Sequence, residues 1–569
     1  MKSKVKKIVV LGGGAAGWFT AGYLKTKNPE IDITLIESEK VGVIGVGEST
    51  IPQLGDFFAE MGIEERDWMS HTNSLYKLGN KFVGWNIEGK RDHVSNHWWC
   101  SKFDEQYFTF SFAMPENQLT RSYYHQIKTD DYFHNSKGDP GVDDKWNDYW
   151  LHLERQGRRN WWEMSEDMCE QTFLMDHNKA PFDMDDNQLV GDWQAKTYHV
   201  DAERFPEVVR DRVAIPRGVK HVWGHVADIV KSEDGYIEKL VLEDGSEYEA
   251  DLFCDATGFN RILTGTMDNG WHDYEHIFTR DAIVGPVKYK DVKTEMRPYT
   301  QSYAQDEGWN FIITLYNRMG SGYIFDRTEI SPEDAKEKFM KYWEGYEFIK
   351  EPRHISWESG RMETPWNKNV VGIGMAGAFV EPMEANSLYV AQACIQLTNR
   401  IINRAKSRAV NDDDVITPSE IHAYNKNMGR LEDGIADFIA YHFTLTDRED
   451  TPFWRKQKQY GIDHNHKEAC WEHYRRPVNY IGNGVYPDFM WAMLAVYMNK
   501  FDDSVQLNKI KPELVEKANM TWDFIHKSSK ENGRYAPHAY DWHRKFLFDG
   551  KSHEKVLEEA LAKISRNIY

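Results

Sequence analysis

The chain has no long apolar run. Nowhere do about eighteen apolar residues follow one another, so no transmembrane helix is expected. Paired cysteines are also missing. The five present (Cys100, Cys169, Cys254, Cys394, Cys470) form an odd, scattered set without CxxC spacing. That argues against a disulfide framework or a zinc site and fits a reducing, cytoplasmic compartment. Positive charge is in the minority: 70 Lys and Arg stand against 90 Asp and Glu, a net charge of -20. Broad binding to nucleic acid or an anionic membrane is therefore not expected. The basic start, Met1 to Lys7, precedes only the short apolar run Ile8 to Leu11. That is too short for the apolar core of a secretory signal. Internal repeats and low-complexity linkers are lacking too.

What is present is a globular composition, 41% hydrophobic over 569 residues, long enough for two structural modules. Aromatic residues are plentiful, with 21 Trp, 29 Tyr and 28 Phe. They supply core and can also line a pocket that stacks flat organic molecules.

Lys7 to Leu11 reads as a buried strand, Ala15 to Lys27 as a helix and Ile31 to Glu37 as a second strand, a βαβ unit. Between strand and helix lies Gly12-Gly13-Gly14-Ala15-Ala16-Gly17, a G-x-G-x-x-G match in the context that gives it meaning. Such a turn brings backbone N–H groups and the positive end of a helix against a pyrophosphate. Glu37 closes the second strand, where an acid binds ribose hydroxyls. Farther on, Tyr198 to Val230 reads as helix then strand and contains Val222, taken as a cofactor contact. Ile237 to Glu247 reads as a hairpin turned at Asp244-Gly245. Tyr248 to Cys254 is a further strand, Val370 to Gly374 another, and Ser387 to Lys406 a helix. Beyond about Pro418 the chain reads as mostly helical, interrupted near Arg475 to Pro487.

Asp251 to Gly258 ends in Asp255-Ala256-Thr257-Gly258. It resembles the late segment of two-dinucleotide-fold flavoproteins, which favours FAD over NAD. Asp255, Gly258 and Gly374 are accordingly expected near the cofactor. Only one strand–glycine–helix unit is convincing, since Gly320-Ser321-Gly322 lacks both flanking elements. The flavin is therefore expected to be reduced elsewhere, by a separate flavin reductase that acts transiently or by diffusion. The fold expected is α/β: a two-dinucleotide-fold, Rossmann-like flavoprotein with a mixed sheet, plus a mainly helical substrate module. Residues 1–92 and 187–410 would form the FAD-binding module, 93–186 an inserted substrate-facing segment, and 411–569 a C-terminal helical module.

Four further segments carry a specific resemblance. Gly45-Val46-Gly47-Glu48-Ser49-Thr50-Ile51-Pro52, Tyr76 to Trp85, Phe379-Val380-Glu381-Pro382-Met383-Glu384, and Tyr441 to Trp454 resemble motifs of the flavin-dependent tryptophan halogenases. The similarity runs from residue 7 to about 455, with 93–186 poorly matched and 456–569 matching only loosely. The resemblance implies that reduced FAD, dioxygen and halide give hypohalous acid, which moves to a separate substrate pocket. Lys77 falls on the family's essential lysine and Glu384 on its active-site glutamate. Glu48, Ser49 and Thr50 fall on cofactor-binding positions. A lysine ammonium can polarise the oxidant by hydrogen bonding, and a carboxylate can accept the proton lost in aromatic substitution. Lys81 and Glu381 are the nearest competitors for these roles. The halide is expected at Asn386 and Ser387, where a helix begins.

The sequence also departs from the family. Ala385-Asn386-Ser387 stands where Ser-Thr-Gly is frequent. The W-x-W-x-I-P signature corresponds to Trp309, Phe311, Ile313 and Thr314, so the second Trp is Phe and the Pro is Thr. Trp309, Phe311 and Trp454 are expected to line the substrate side. The segment His97-Trp98-Trp99-Cys100 differs from the tryptophan-specific enzymes. The substrate expected is thus an electron-rich indole or phenol other than free tryptophan. Bromide and iodide are oxidised more easily than chloride, and the expectation leans to them. The alternatives are an aromatic hydroxylase inserting one oxygen atom and a non-catalytic flavin-binding protein. The hydroxylase is disfavoured because Gly374-Met375-Ala376-Gly377 lacks the usual Gly-Asp-Ala acid. A metal is not expected, and a homo-oligomer is left open.

Overall fold

The computed structural model describes residues 4–40, 47–51, 53–85, 107–111, 152–159, 171–184, 197–408, 415–446, 448–463, 486 and 512–566. The chain divides into two compact units. The first holds 1–74, 200–277 and 356–436; the second holds 75–199, 278–355 and 437–569.

The first unit is built on a six-stranded sheet in the order Trp366–Asn367, Val370–Gly372, Leu252–Asp255, Lys7–Leu11, Asp32–Glu37, Lys220–Trp223. All neighbours pair in parallel except the first two strands. Central parallel strands are covered on both faces and read as continuous apolar runs, as Ile8-Val9-Val10-Leu11 does. Ala15–Lys27 is the crossover helix, and it buries Trp18, Phe19, Tyr23 and Leu24. The expected hairpin is present as Ile237–Leu242 and Glu247–Glu249, with Gly245 at φ +83. Tyr248 to Cys254 is two strands rather than one. The break at Ala250 and Asp251 lets the Asp251 carboxylate accept from the N–H groups of Lys6 and Lys7. Hairpin and sheet share one apolar cluster of Val9, Ile36, Leu240, Leu242 and Phe253.

The second unit has its own seven-stranded sheet: Arg353–Ser356, Asp281–Val287, Met319–Phe325, Gly308–Thr314, Thr300–Gln305, Gly79–Val83, Tyr107–Ser111. This sheet stands beside the helical portion of the chain. Residues 278–355, expected with the flavin module, fall here because Thr300–Gln305 pairs in parallel with Gly79–Val83. The expected lysine strand is likewise two strands. Leu78 donates its N–H to Pro298 O at 2.7 Å. Leu75–Lys77 therefore pairs with Thr197–Val200, while Gly79–Val83 joins the large sheet.

Helices Pro418–Leu445, Pro452–Asp463, Pro512–Tyr535, Ala539–Phe546 and His553–Arg566 bear out the helical reading of the C-terminal part. Among the described residues no helix is long and apolar enough to cross a membrane. The His97–Cys100 segment, the interruption near 475–487, Gly45, Val46, Pro52 and Asp447 lie outside the described residues, as does most of 93–186.

Candidate active site

The first unit places Gly12, Glu37, Val222, Asp255, Gly258 and Gly374 on or just beyond the carboxyl ends of strands of its six-stranded sheet, with Glu48 and Ser49 on a separate short strand. Gly12 donates its N–H to Ile36 O, and Ala256 donates to Leu11 O, so the two glycine-rich turns leave adjacent parallel strands. The three glycines of the first motif differ in what they need. Gly12 sits at φ +117, and a Cβ there would collide with Ala256 O; a Cβ on Gly17 would collide with Gly12 O. Gly14 has ordinary extended geometry (φ -73, ψ -176), and a Cβ on it would meet nothing within 4 Å. Among the described residues there is no steric reason for glycine at 14. Open space beside the uncapped start of Ala15–Lys27 is what a pyrophosphate requires.

Glu37 ends the second strand with its carboxylate against Gly13 and 2.6 Å from His221 Nε2. Burial raises its pKa, while His221 acts in the opposite sense. No sequence pattern marks His221. It reaches Glu37 because Lys220–Trp223 is the neighbouring parallel strand, and the Trp18 ring packs edge-on against it at 5.0 Å. Val222 lies on that strand opposite Ile36.

Asp255 plays a part its motif did not reveal. Its fully buried carboxylate accepts from Thr257 N and Oγ1, Leu263 N, and Thr264 N and Oγ1, at 2.6–3.0 Å. It pins the turn rather than facing outward. Gly258 (φ +61) and Gly374 (φ +60) both take the left-handed conformation, and Gly374 packs against Ala16 and Ala391. Glu48 and Ser49 form a short strand followed by buried Thr50. Burial pushes the Glu48 carboxyl up to about 7.

Behind the Gly374 turn is a small pocket lined by Gly374, Gly377, Val390, Cys394, Arg361 and Glu432. Burial, aided by the Asp433 charge and opposed by Arg361, raises Glu432 to about 8. The unfolded value is about 4.3, so the native state binds a proton that the unfolded chain has released. Stability from this group is full below about pH 4.3 and is lost as pH rises toward about 8. Glu432→Gln, which has no proton to lose, is expected to melt several degrees above the natural chain near pH 8 and to match it near pH 4. Thermal melting across that range checks this.

Glu384 is 4% exposed and sits at φ 62, followed by Ala385 at φ 59. Two consecutive left-handed residues, neither of them Gly or Asn, cost roughly 1–2 kcal/mol each. Such strain persists where the surroundings enforce it, frequently at functional positions. Trp357 Nε1 and Ser359 Oγ donate to Val380 O and hold the approach to this turn. Glu381 is equally buried, so burial alone does not separate it from Glu384. Helix Ser387–Ser407 starts at once, with Asn386 in the cap position. The Asn386 side chain does not cap the helix, and its amide donates instead to Met383 O at 3.2 Å. The positive end of the helix dipole lies at this turn.

Lys77, in the second unit, is 0% exposed at the end of Leu75–Lys77, and its carbonyl accepts from Thr197 Oγ1 at 2.5 Å. The competing Lys81 makes a 2.5 Å ion pair with Asp176 and lies over the Tyr299 ring. In the same unit Trp85 gathers Trp454 (5.3 Å), Phe443 (5.2 Å) and Trp309 (6.3 Å). Trp454 is fully buried and donates to Gln305 O, a core arrangement. Phe311 fills the space that Gly322 leaves on the adjacent strand. Trp309 Nε1 is buried without an acceptor among the described residues.

A family model described as tryptophan halogenase matches residues 7–498. The tryptophan 6-halogenase of Streptomyces albogriseolus is 28% identical over 486 residues, covering 84% of each chain. The tryptophan 7-halogenase of Lentzea aerocolonigenes is 28% identical over 464 residues, covering 81% of this chain and 80% of its own. A solved tryptophan halogenase from Shewanella frigidimarina shares the fold, with a TM-score of 0.79 at 23% identity, over 97% of this chain and 99% of that one.

Proposed function

The chain belongs to the tryptophan halogenase family, and from that premise we propose that Lys77 and Glu384 direct hypohalous acid onto an electron-rich indole or phenol. The protein is an FAD-dependent enzyme with halide as co-substrate, and its family takes reduced flavin from a separate reductase. FAD, supplied reduced, lets dioxygen oxidise the halide. Gly14 fits this cofactor by the space it leaves, and Glu37 by its buried acid at the strand end.

The residues of the chain do the rest. The Lys77 ammonium donates a hydrogen bond to the oxygen of the hypohalous acid, which makes the halogen more electrophilic. Glu384 takes the proton from the ring carbon that has gained the halogen, restoring aromaticity. Asn386 and Ser387 hold the halide at the start of their helix. The observation that carries the reading is the place of Lys77, fully buried at the end of Leu75–Lys77 where the family's essential lysine falls.

The changed His97–Cys100 segment and Phe311 support a substrate other than free tryptophan. Ala385-Asn386-Ser387, together with the easier oxidation of heavier halides, supports bromide or iodide. The test is mass spectrometry of a panel of indoles and phenols with FAD, NADH, a flavin reductase, catalase and one halide at a time. A halide-dependent mass gain is expected, largest with bromide or iodide. Product from free tryptophan with chloride alone would overturn both the substrate and the halide assignments.

A further inference from the structure

We propose that His199 is a positioning residue for Lys77, a ring locked in one tautomer that holds the lysine side chain in its reactive place. The inference rests on the assignment of Lys77 as the residue that handles the oxidant. It begins with register. Leu75–Lys77 and Thr197–Val200 pair antiparallel, with Leu75 opposite His199 and Lys77 opposite Thr197. Residues directly opposite share a face, and residues two apart share it too. Lys77 and His199 are therefore diagonal neighbours on one face of the pair. The other face is different in kind: Tyr76 packs on Tyr198, Phe182 and Trp542.

Hydrogen bonds fix the ring. His199 Nδ1 lies 2.9 Å from Thr314 O, and a carbonyl only accepts, so Nδ1 carries the proton. The Thr314 hydroxyl gives its own proton to Arg297 O at 2.6 Å. His199 Nε2 then accepts from Thr300 Oγ1 at 2.9 Å. The ring is fully buried. Burial and the nearby Lys77 charge hold its pKa down at about 3, so it is neutral. Both nitrogens are occupied and neither can take a proton from the lysine. The histidine offers Lys77 a rigid, uncharged wall.

Thr314 is the residue that replaces the proline of the family signature. Its hydroxyl bond to Arg297 O is one a proline could not make. His199 itself is held by the Thr314 carbonyl, and the Thr314 hydroxyl ties that strand end to Arg297 O.

A flexible lysine side chain loses rotamer freedom when held. Loosening it should let hypohalous acid pass without reaching the substrate. The experiment compares His199→Asn and His199→Gln with the natural chain and with Lys77→Ala. Asparagine retains a donor for Thr314 O, and glutamine an acceptor for Thr300. The readout is the ratio of halogenated product to hypohalous acid trapped by the scavenger monochlorodimedone, measured on folded protein confirmed by its melting curve. The expected result is a ratio at least tenfold lower in whichever variant folds. An unchanged ratio, or product and trapped acid falling together, would make His199 a structural pin and overturn the proposal while Lys77→Ala still loses product. Product retained by Lys77→Ala would instead remove the assignment on which the proposal rests.

Discussion

Lys77→Ala is expected to lower halogenated product by about 10²–10³-fold, the range found when one donor to a reacting oxygen is removed. Hypohalous acid is still expected to form, because the residues proposed to hold FAD belong to the first unit and Lys77 to the second. Trapped hypohalous acid should therefore rise as product falls. Lys77→Arg should not rescue the reaction. The lysine is fully buried, and the broader planar guanidinium presents its donors in a different geometry. Product quantified by mass spectrometry beside a hypohalous-acid trap measures both. A variant that retains even a third of the product would remove Lys77 from the mechanism.

Gly14→Val is expected to weaken FAD binding at least about 100-fold, roughly 2.7 kcal/mol. It should move the melting temperature of the flavin-free protein by no more than about 3 °C. The reasoning is steric. Gly14 has a backbone conformation open to any residue, and a Cβ there meets nothing within 4 Å among the described residues. A valine would occupy only the space assigned to the pyrophosphate. Gly17→Ala is the internal contrast, since its Cβ meets Gly12 O within the protein, so the flavin-free fold itself should lose stability. Flavin titration and thermal melting of the two variants separate a glycine kept for the ligand from one kept for the fold. Loss of stability in Gly14→Val without loss of FAD affinity would reverse the assignment.

How much of this was legible depended on the range of the interaction. The strand, glycine turn and helix from Lys7 to Lys27 are encoded by neighbours in sequence and appear with the expected bounds. So does the Asp244-Gly245 hairpin, whose turn chemistry is local. Pairing of Thr300–Gln305 with Gly79–Val83 is not local, and no periodicity announces which strand a strand will join. His221 beside Glu37 and His199 beside Lys77 were hidden for the same reason, since each is set by strand order and register. The enclosure of the Asp255 carboxylate was not legible because its donors come from residues as far on as Thr264. Glu384 and Ala385 take left-handed backbone against their residue preference, so nothing in their identities signalled it. The burial of Trp454 and its hydrogen bond to Gln305 O were likewise not legible, because both are set by contacts distant in sequence.

The central claim is that oxygen from dioxygen leaves as part of the spent oxidant while halogen enters the ring. The most direct measurement is the mass of the product formed from the panel with bromide under isotopically heavy dioxygen, with catalase present. The result expected is a product carrying the paired isotope pattern of bromine and no heavy oxygen. A product carrying one heavy oxygen and no bromine would contradict the account and make the protein an aromatic hydroxylase.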